Sequence, residues 1–401
     1  MSSSPATARP IPTAPQSATQ LYAVDTLLTD EQRGIRETVR RFADDHLRPH
    51  LADWFEHGQL PARDLALALG DLGLLGMHLE NYGCAGTDAT SYGLACLELE
   101  AADSGIRSLV SVQGSLAMFA LHAFGSQEQR QHWLPGMAKG LLIGCFGLTE
   151  PDAGSDPASM RTTAVRDGAD WVLNGTKMWI TNGSIADVAI VWARAEGTIR
   201  GFVVPTDSPG FTARSIPHKL SLRASVTSEL VLDGVRLPAD AQLPGARGLS
   251  APLACLAEAR FGIVFGSIGA ARDCLEVAVG YTSTREQFGR PIAAFQLTQR
   301  KLAEMAVAVG NGHLLALHLG RLKDAGSLTP QQVSVGKFHN VSAALAVARE
   351  ARALLGGNGI SLEYPVIRHM ANLESVYTYE GTHDIHTLVI GQALTGIPAY
   401  R

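Results

Sequence analysis

The sequence predicts a multidomain α+β chain in which a β segment separates two helical blocks. Three observations predict it. Ala/Leu-rich stretches with helical spacing run to about residue 145. Short strand-like runs marked by Asn-Gly and Asp-Gly pairs follow, to about residue 250. Long Ala/Leu/Val-rich stretches then continue to the last residue. The expected division is a disordered tail at 1–22, a helical domain at 23–145, a β domain at 146–250 and a helical domain at 251–401.

The elements follow in order. The first twenty residues hold one arginine and no acidic residue, which suits a disordered tail better than an amphipathic transit peptide. Thr29 and Gln32 have capping-box spacing, and Ile35, Val39 and Phe42 share the face of the helix they open. Pro49 marks its expected end. "ARDLALALGDLGLLGM", "SYGLACLELEAAD" and "SLVSVQGSLAMFALHAFG" read as helices broken by glycine. In "DWVLNGTKMWITNG", Asn174–Gly175 predicts a two-residue hairpin, and Asp233–Gly234 in "SELVLDGVRLP" predicts another turn. "VAIVWAR" and "GFVVP" read as strands between them. "RGLSAPLACLAEARFGIVFGSIGAARDCLEVAVGYTSTRE" opens the second helical block.

Composition removes several function classes. The 401 residues are 46% hydrophobic and 18% charged, with a formal net charge of −5 and no basic run, so nucleic acid is not an expected partner. The five cysteines, Cys84, Cys96, Cys145, Cys255 and Cys274, form no Cys-x-x-Cys pair. A reduced chain without structural zinc is expected, with the cytoplasm as its address. No run reaches the ~18 uninterrupted apolar residues of a membrane span. The motifs of Rossmann NAD binding, P-loops, serine hydrolases and zincins are absent from the sequence.

Six stretches can carry chemistry. "CFGLTEPDAGSDPAS" (145–159) offers hydroxyls and backbone N–H groups at the helix-to-strand switch, and equally reads as an interdomain loop. In "KMWITNGS" (177–184), Trp179 and Thr181 share a face if extended, suiting a flat heteroaromatic ligand or an ordinary core. "STREQFGRPIAAFQ" (283–296) offers Arg285, Gln287, Arg290 and Gln296 to phosphates, or to solvent. "LLGGNGI" (354–360) allows close backbone approach to a ligand, or a plain helix–helix turn. Glu100 and Arg107 lie seven apart, on one helical face; such a pair reads a carboxylate if buried and is worth little if exposed. "TYEGTHDIH" (378–386) places Glu380 at a charged joint between two helical stretches. His383 and His386 there have a metal-compatible spacing, but nothing nearby completes a ligand set.

In this order, "GLTEPDAGSD", "GTKMWITNG", "REQFGRPIAAFQ" and "LLGGNGI" resemble the recurring motifs of the acyl-CoA dehydrogenase family, from about residue 25 to the end. "DSGIRSLVSVQGSL", "SLRAS" and "TYEGTHDIHTLVIGQALTGI" are similar in particular to its glutaryl-CoA dehydrogenase branch. The resemblance implies an N-terminal helical domain, a middle β-barrel, a C-terminal four-helix bundle, FAD and a homotetramer. It implies flavin contacts from Phe146, Leu148, Thr149, Gly154, Ser155, Trp179, Ile180, Thr181, Leu354, Leu355, Gly356, Gly357 and Thr382. Arg285, Phe288 and Gln296 would serve the flavin of a neighbouring subunit. Substrate contacts would come from Glu100, Arg107, Ser108, Ser155, the segment from Leu253 to Arg260, Tyr379, Gly381 and Tyr400.

The resemblance assigns Glu380 as the base that removes an α-proton from an acyl-CoA thioester, with its own N–H polarising the thioester carbonyl. Glutaryl-CoA is the favoured substrate, with loss of CO2 to crotonyl-CoA, and an electron-transfer flavoprotein the expected acceptor. Two positions depart from the pattern: Ala353 stands where relatives have Gln or Asp beside the flavin, and Ile106 where the branch tends to have Tyr. A non-decarboxylating dehydrogenase of another short acyl-CoA, a flavoprotein of this fold with altered chemistry and a non-catalytic scaffold are the rival readings.

Overall fold

Thr29 opens a helix as its spacing predicts: its Oγ1 accepts from Gln32 N–H at 3.1 Å, and Gln32 Oε1 accepts from Thr29 N–H at 3.1 Å. The fold is seen in a computed structural model that describes residues 15–399. The first block contains α1 (Ala18–Leu21), α2 (Asp30–Phe42), α3 (Leu51–His57), α4 (Ala62–Asp71), α5 (Ala89–Ala102), α6 (Ser104–Ser111), α7 (Phe119–Phe124) and α8 (Gln127–Ala138). Part of the stretch expected to be a tail is therefore folded. Ser17 caps α1, and the Tyr22 hydroxyl donates to Asn311 Oδ1 at 3.1 Å. Residues 1–14 lie outside the described residues.

The middle block is a curled seven-stranded sheet of β1 (Gly144–Gly147), β2 (Thr163–Asp167), β3 (Asp170–Thr181), β4 (Val188–Ala195), β5 (Thr198–Pro205), β6 (Phe211–Ser215) and β7 (Thr227–Leu237). Its order is β1-β4-β2-β3-β7-β6, with β5 paired to β4. Trp171, Leu173, Val191, Phe202, Leu230 and Leu232 form its apolar core. The two expected turns are not turns. β3 runs straight through Asn174–Gly175 and β7 through Asp233–Gly234. The pairs Leu173–Val235 and Gly175–Leu232 leave Asn174 opposite two residues, which is a β-bulge with Gly234 at φ +64°. Asn174 Oδ1 accepts from Gly234 N–H at 2.8 Å, so its side chain closes the bulge. The connecting turn lies instead at Gly168–Ala169, between the paired Asp167 and Asp170.

The last block holds α9 (Ser250–Thr284), a small hairpin of β8 (Glu286–Gln287) and β9 (Arg290–Pro291), then α10 (Gln296–Asp324), α11 (Pro330–Leu354), α12 (Val366–Thr378) and α13 (His383–Thr395). By length and composition α9 and α10 could each cross a membrane. Their apolarity has another cause here: Ile263, Val264, Phe265, Ile268, Val309 and Leu317 are buried in the protein interior.

Glycine sets how closely α5 and α9 approach. α5 is buried along its whole length. A Cβ at Gly269 would stand 1.9 Å from the Leu97 carbonyl oxygen, and one at Gly266 would stand 2.0 Å from Glu100 Oε2. The blocks are also joined by amides. Gln113 donates to Met137 O (3.0 Å) and Leu142 O (2.8 Å) and accepts from Gly144 N–H at the start of the sheet (2.7 Å). Asn372 on α12 donates to Asp103 Oδ2 between α5 and α6 (2.9 Å) and accepts from Leu222 N–H before β7 (2.8 Å).

Gly269→Ala is expected to destabilise the protein by about 1–3 kcal/mol, because the backbone clash outweighs the ~1 kcal/mol that alanine gains in a helix. Denaturant unfolding measures it; an unchanged midpoint would contradict the packing described.

Candidate active site

Tyr379, Glu380 and Gly381 join α12 to α13, and Thr382 caps α13 by accepting from Ile385 N–H at 3.2 Å. Glu380 has φ +53° and Gly381 φ +91°. A side-chain-bearing residue is disfavoured there, so the turn needs support. Arg260 on α9 donates through Nε to the Glu380 carbonyl at 2.6 Å. Lys337 on α11 donates to the carbonyls of Tyr379, Gly381 (2.8 Å) and Glu380 (3.4 Å). Only glycine fits at 381, because a Cβ would stand 2.9 Å from His386 Nε2.

Opposite this turn, Arg107 Nε donates to Glu100 Oε2 at 2.7 Å, and the Ser104 hydroxyl donates to Glu100 Oε1 at 2.9 Å. Arg107 Nη2 also donates to the Tyr379 hydroxyl, and Ser108 Oγ lies 3.4 Å from the same oxygen. Glu100 and Arg107 are both buried. They do not share one helix as expected: Asp103, at φ −163° and ψ 139°, breaks α5 from α6. The pair meets across that break, and Gly266 leaves room for the Glu100 carboxylate.

Burial raises the Glu380 carboxyl above its ordinary value, against the opposing pull of Arg107, Lys337 and Arg260. Among the described residues its Oε2 has no hydrogen-bond partner. Burial would depress Arg107, but Glu100, Tyr379 and Glu380 outweigh it and hold the guanidinium charged. Burial pushes the Tyr379 phenol up to about 12, so it stays protonated. Burial, then Lys337 and Arg260, push His386 down to about 3, so its imidazole is neutral. His383 stacks between Phe338 and Tyr377, at centroid distances of 4.1 and 4.4 Å. The arrangement offers a carboxylate that can serve as a base, with one buried, unpartnered oxygen, beside a fixed cation and a phenol.

The residues expected around a flavin lie on the adjoining sheet and loops. A second register shift, between Lys177 and Ile180, puts Trp179 at φ +63° and leaves it 57% exposed. Ile180 is buried behind it and Thr181 half-buried. Met178 N–H donates to Thr149 O at 2.9 Å, which ties this bulge to the 145–159 loop. Lys177 reinforces the tie, donating to Leu148 O (3.1 Å) and Glu150 Oε1 (2.8 Å) from a fully buried position. Phe146 and Leu148 are buried, Thr149 half-buried, Gly154 and Ser155 exposed. Leu354 and Leu355 end α11, and Gly356 and Gly357 face open space. An exposed tryptophan on a bulge, open glycines and the unpartnered Glu380 oxygen fit a flat flavin ring with polar edges. Ala353 is exposed on the last turn of α11 and offers no polar group.

The structure thus gathers Glu100, Arg107, Ser108, Arg260, Tyr379, Glu380 and Gly381 into one cluster. Arg260 does so as a support for the Glu380 backbone. Leu253 is partly exposed in the first turn of α9. Arg285, Phe288 and Gln296 are exposed on the β8–β9 hairpin and the start of α10, and Phe288 is 93% exposed at φ +54°. Among the described residues no hydrogen bond or ring contact joins this hairpin to the Glu380 cluster. Tyr400 lies outside the described residues. Lys337 and Asn372 were missed by sequence reasoning, and His386 was weighed there only as a metal ligand. A signal existed for Lys337: it falls on the apolar face of α11 with Val333, Val341 and Ala344.

Helices, a curled sheet and helices around a half-buried carboxylate and an exposed tryptophan are the frame of a flavin-dependent oxidoreductase, and the family matches bear that class out. Residues 29–141 match the acyl-CoA dehydrogenase N-terminal domain, 145–235 its middle domain and 246–395 its C-terminal domain. The short-chain specific acyl-CoA dehydrogenase of Bos taurus is 35% identical over 382 residues, 93% of this chain and 92% of that protein. The structure of a glutaryl-CoA dehydrogenase from Mycobacterium smegmatis has a TM-score of 0.96 and 67% identity, covering 96% of this chain and 100% of that one. Another from the same organism, in complex with FADH2, has 0.95 and 63% over the same shares. The chain belongs to the acyl-CoA dehydrogenase family.

A carboxylate can act as a base only when ionised, and burial raises the Glu380 carboxyl above its ordinary ~4.3. Solvent exchange of substrate α-protons is therefore expected to rise with pH through that raised value and to disappear below it. A limb at or below the ordinary value would contradict the burial of Glu380.

Proposed function

We propose that this chain is an FAD-dependent glutaryl-CoA dehydrogenase that both oxidises and decarboxylates its substrate. The observation that carries the reading is the buried Glu100–Arg107 pair, bonded to the half-buried Tyr379, beside Glu380. A saturated acyl chain has no use for a buried guanidinium, whereas a terminal carboxylate accepts charge-assisted hydrogen bonds from it. The two Mycobacterium smegmatis relatives named as glutaryl-CoA dehydrogenases support the same substrate.

Arg107, held charged by Glu100, anchors the distal carboxylate and so fixes the α-carbon near Glu380. The Glu380 backbone N–H polarises the thioester carbonyl, and the Glu380 carboxylate removes the α-proton. Phe146, Leu148, Thr149, Trp179, Thr181, the Leu354–Gly357 ledge and Thr382 would hold the FAD, with Trp179 and Thr181 at its ring. Bound FAD supplies the acceptor for the β-hydride. The carboxylate then leaves as CO2, its C–C electron pair passing into the conjugated thioester. Protonated Glu380 returns its proton to the γ-carbon, giving crotonyl-CoA, so the proton taken at one carbon is restored at another. Burial favours this return, because it raises the Glu380 carboxyl and keeps the proton on it between the two steps.

Further parts of the reading rest on the surface. The exposed Phe288 and the exposed Leu394 and Ile397 at the end of the chain support burial in a homotetramer, with the β8–β9 hairpin reaching a neighbouring subunit's flavin. An electron-transfer flavoprotein is the proposed acceptor. The five free thiols support a cytoplasmic address.

Anaerobic mixing of the yellow protein with glutaryl-CoA is expected to bleach the flavin and release CO2 and crotonyl-CoA. Bleaching by butyryl-CoA alone, without CO2, would overturn the decarboxylating reading and leave the base in place. Arg107→Ala is expected to lower kcat/KM for glutaryl-CoA about 10–150-fold more than for butyryl-CoA, the range of a lost charged hydrogen bond. Equal losses on both substrates would remove Arg107 as the carboxylate reader.

A further inference from the structure

Lys337 is a buried amine that takes no part in the chemistry above; burial pushes it down to about 7, against the pull of Glu380. It is 2% exposed on α11, between Gly336 and Phe338. Its ammonium has three donors, and the three carbonyls of Tyr379, Glu380 and Gly381 accept from it. Among the described residues no carboxylate oxygen lies within ion-pair distance of its Nζ. A buried ammonium with peptide carbonyls as its partners is spent on the backbone. That backbone is the turn in which Glu380 sits at φ +53°, where a residue with a Cβ is disfavoured. The Tyr379 carbonyl also lies at the C-terminal end of α12, where the helix dipole favours a cation.

We propose that Lys337 is a positioning residue for the Glu380 base, its ammonium clamping three successive carbonyls so that the left-handed turn holds and the carboxylate points into the site. The inference rests on the reading of Glu380 as the base. Arg260 supports the same turn through one carbonyl, from a half-buried side chain. Lys337 has a second effect through its charge. The groups that act on the Glu380 carboxyl are Arg107 of α6, Glu100 of α5, Arg260 of α9 and Lys337 of α11, with Cys96 of α5, Tyr379 and His386 close by. Lys337 favours the ionised carboxylate, so its loss moves the Glu380 titration upward.

Lys337→Met and Lys337→Gln, prepared as holoenzymes, separate the two effects. Methionine removes donors and charge; glutamine keeps two donors without the charge. The readouts are kcat and KM for glutaryl-CoA, the pH profile of kcat and solvent exchange of the substrate α-protons. Lys337→Met is expected to lower kcat and α-proton exchange together by about 10²-fold, the cost of a misplaced reacting group, with KM little changed. Lys337→Gln is expected to recover part of that loss while its acid limb stays above that of the parent enzyme. Parent values of kcat and of the acid limb in either variant overturn the proposal, as does a loss confined to KM or to thermal stability. Should Lys337→Met fail to fold, the acid limb of Lys337→Gln decides alone. Glu380→Gln runs alongside: if it retains α-proton exchange, the base assignment itself fails. If it is inactive beside unaffected Lys337 variants, only the present inference fails.

Discussion

A half-buried carboxylate whose inner oxygen has no partner among the described residues is the constraint around which this protein is arranged. Left alone, such a group would take up a proton and cease to be a base. In the proposed function water cannot be admitted to solvate it, because its task there is to move protons between carbons. The solution is to surround it with cations that do not touch the free oxygen. Arg107 is turned toward Glu100 and Tyr379, while Arg260 and Lys337 are turned toward peptide carbonyls. Each lowers the cost of the charge from a distance, and none competes with a substrate for Glu380 Oε2. The glycines at 266, 269 and 381 belong to the same solution, since they let helices and a side chain come close enough to supply those fields.

The same use of buried charge recurs where chemistry is absent. Glu98 takes both guanidinium nitrogens of Arg272, at 2.7 and 2.6 Å, and Arg40 from the other side. Asp273 takes Arg48 at 2.7 Å and His369 at 3.0 Å. Against burial, these partners hold the Glu98 and Asp273 carboxyls down to about 2. Pairs of this kind add little net stability over well-packed apolar groups, but losing one partner costs about 3–5 kcal/mol. Their value here is in specifying how helices distant in sequence dock.

The order of helices, sheet and helices was legible because period and composition change sharply near residues 145 and 250. The helix caps were legible for the same local reason, as Thr29 and Gln32 illustrate. The Asn174–Gly175 and Asp233–Gly234 pairs misled. Their local preference for positive φ is real, yet the ladder between β3 and β7 turned it into a bulge. Tertiary pairing decided between two uses of one backbone conformation. In the site, Glu380 and Arg107 were singled out by local pattern and, with Tyr379, given roles through a resemblance of motifs, and the contacts among them needed the fold: Arg107 and Tyr379 are 272 residues apart. Periodicity alone misplaced Glu100 and Arg107 on one helix, since Asp103 as a helix breaker acts through long-range bonds from Arg368 and Asn372.

Asn372 satisfies Asp103 from the first helical block and Leu222 from the sheet while itself belonging to the last block. One amide thus sits at the meeting point of all three, on the helix that leads into the Tyr379–Gly381 turn. A hinge cannot lie at such a point without leaving several buried polar groups bare at once. The blocks that can be told apart along the sequence are therefore expected to move as one body around the site, with an acyl-CoA admitted by movement of side chains and loops at the rim rather than by parting of the domains.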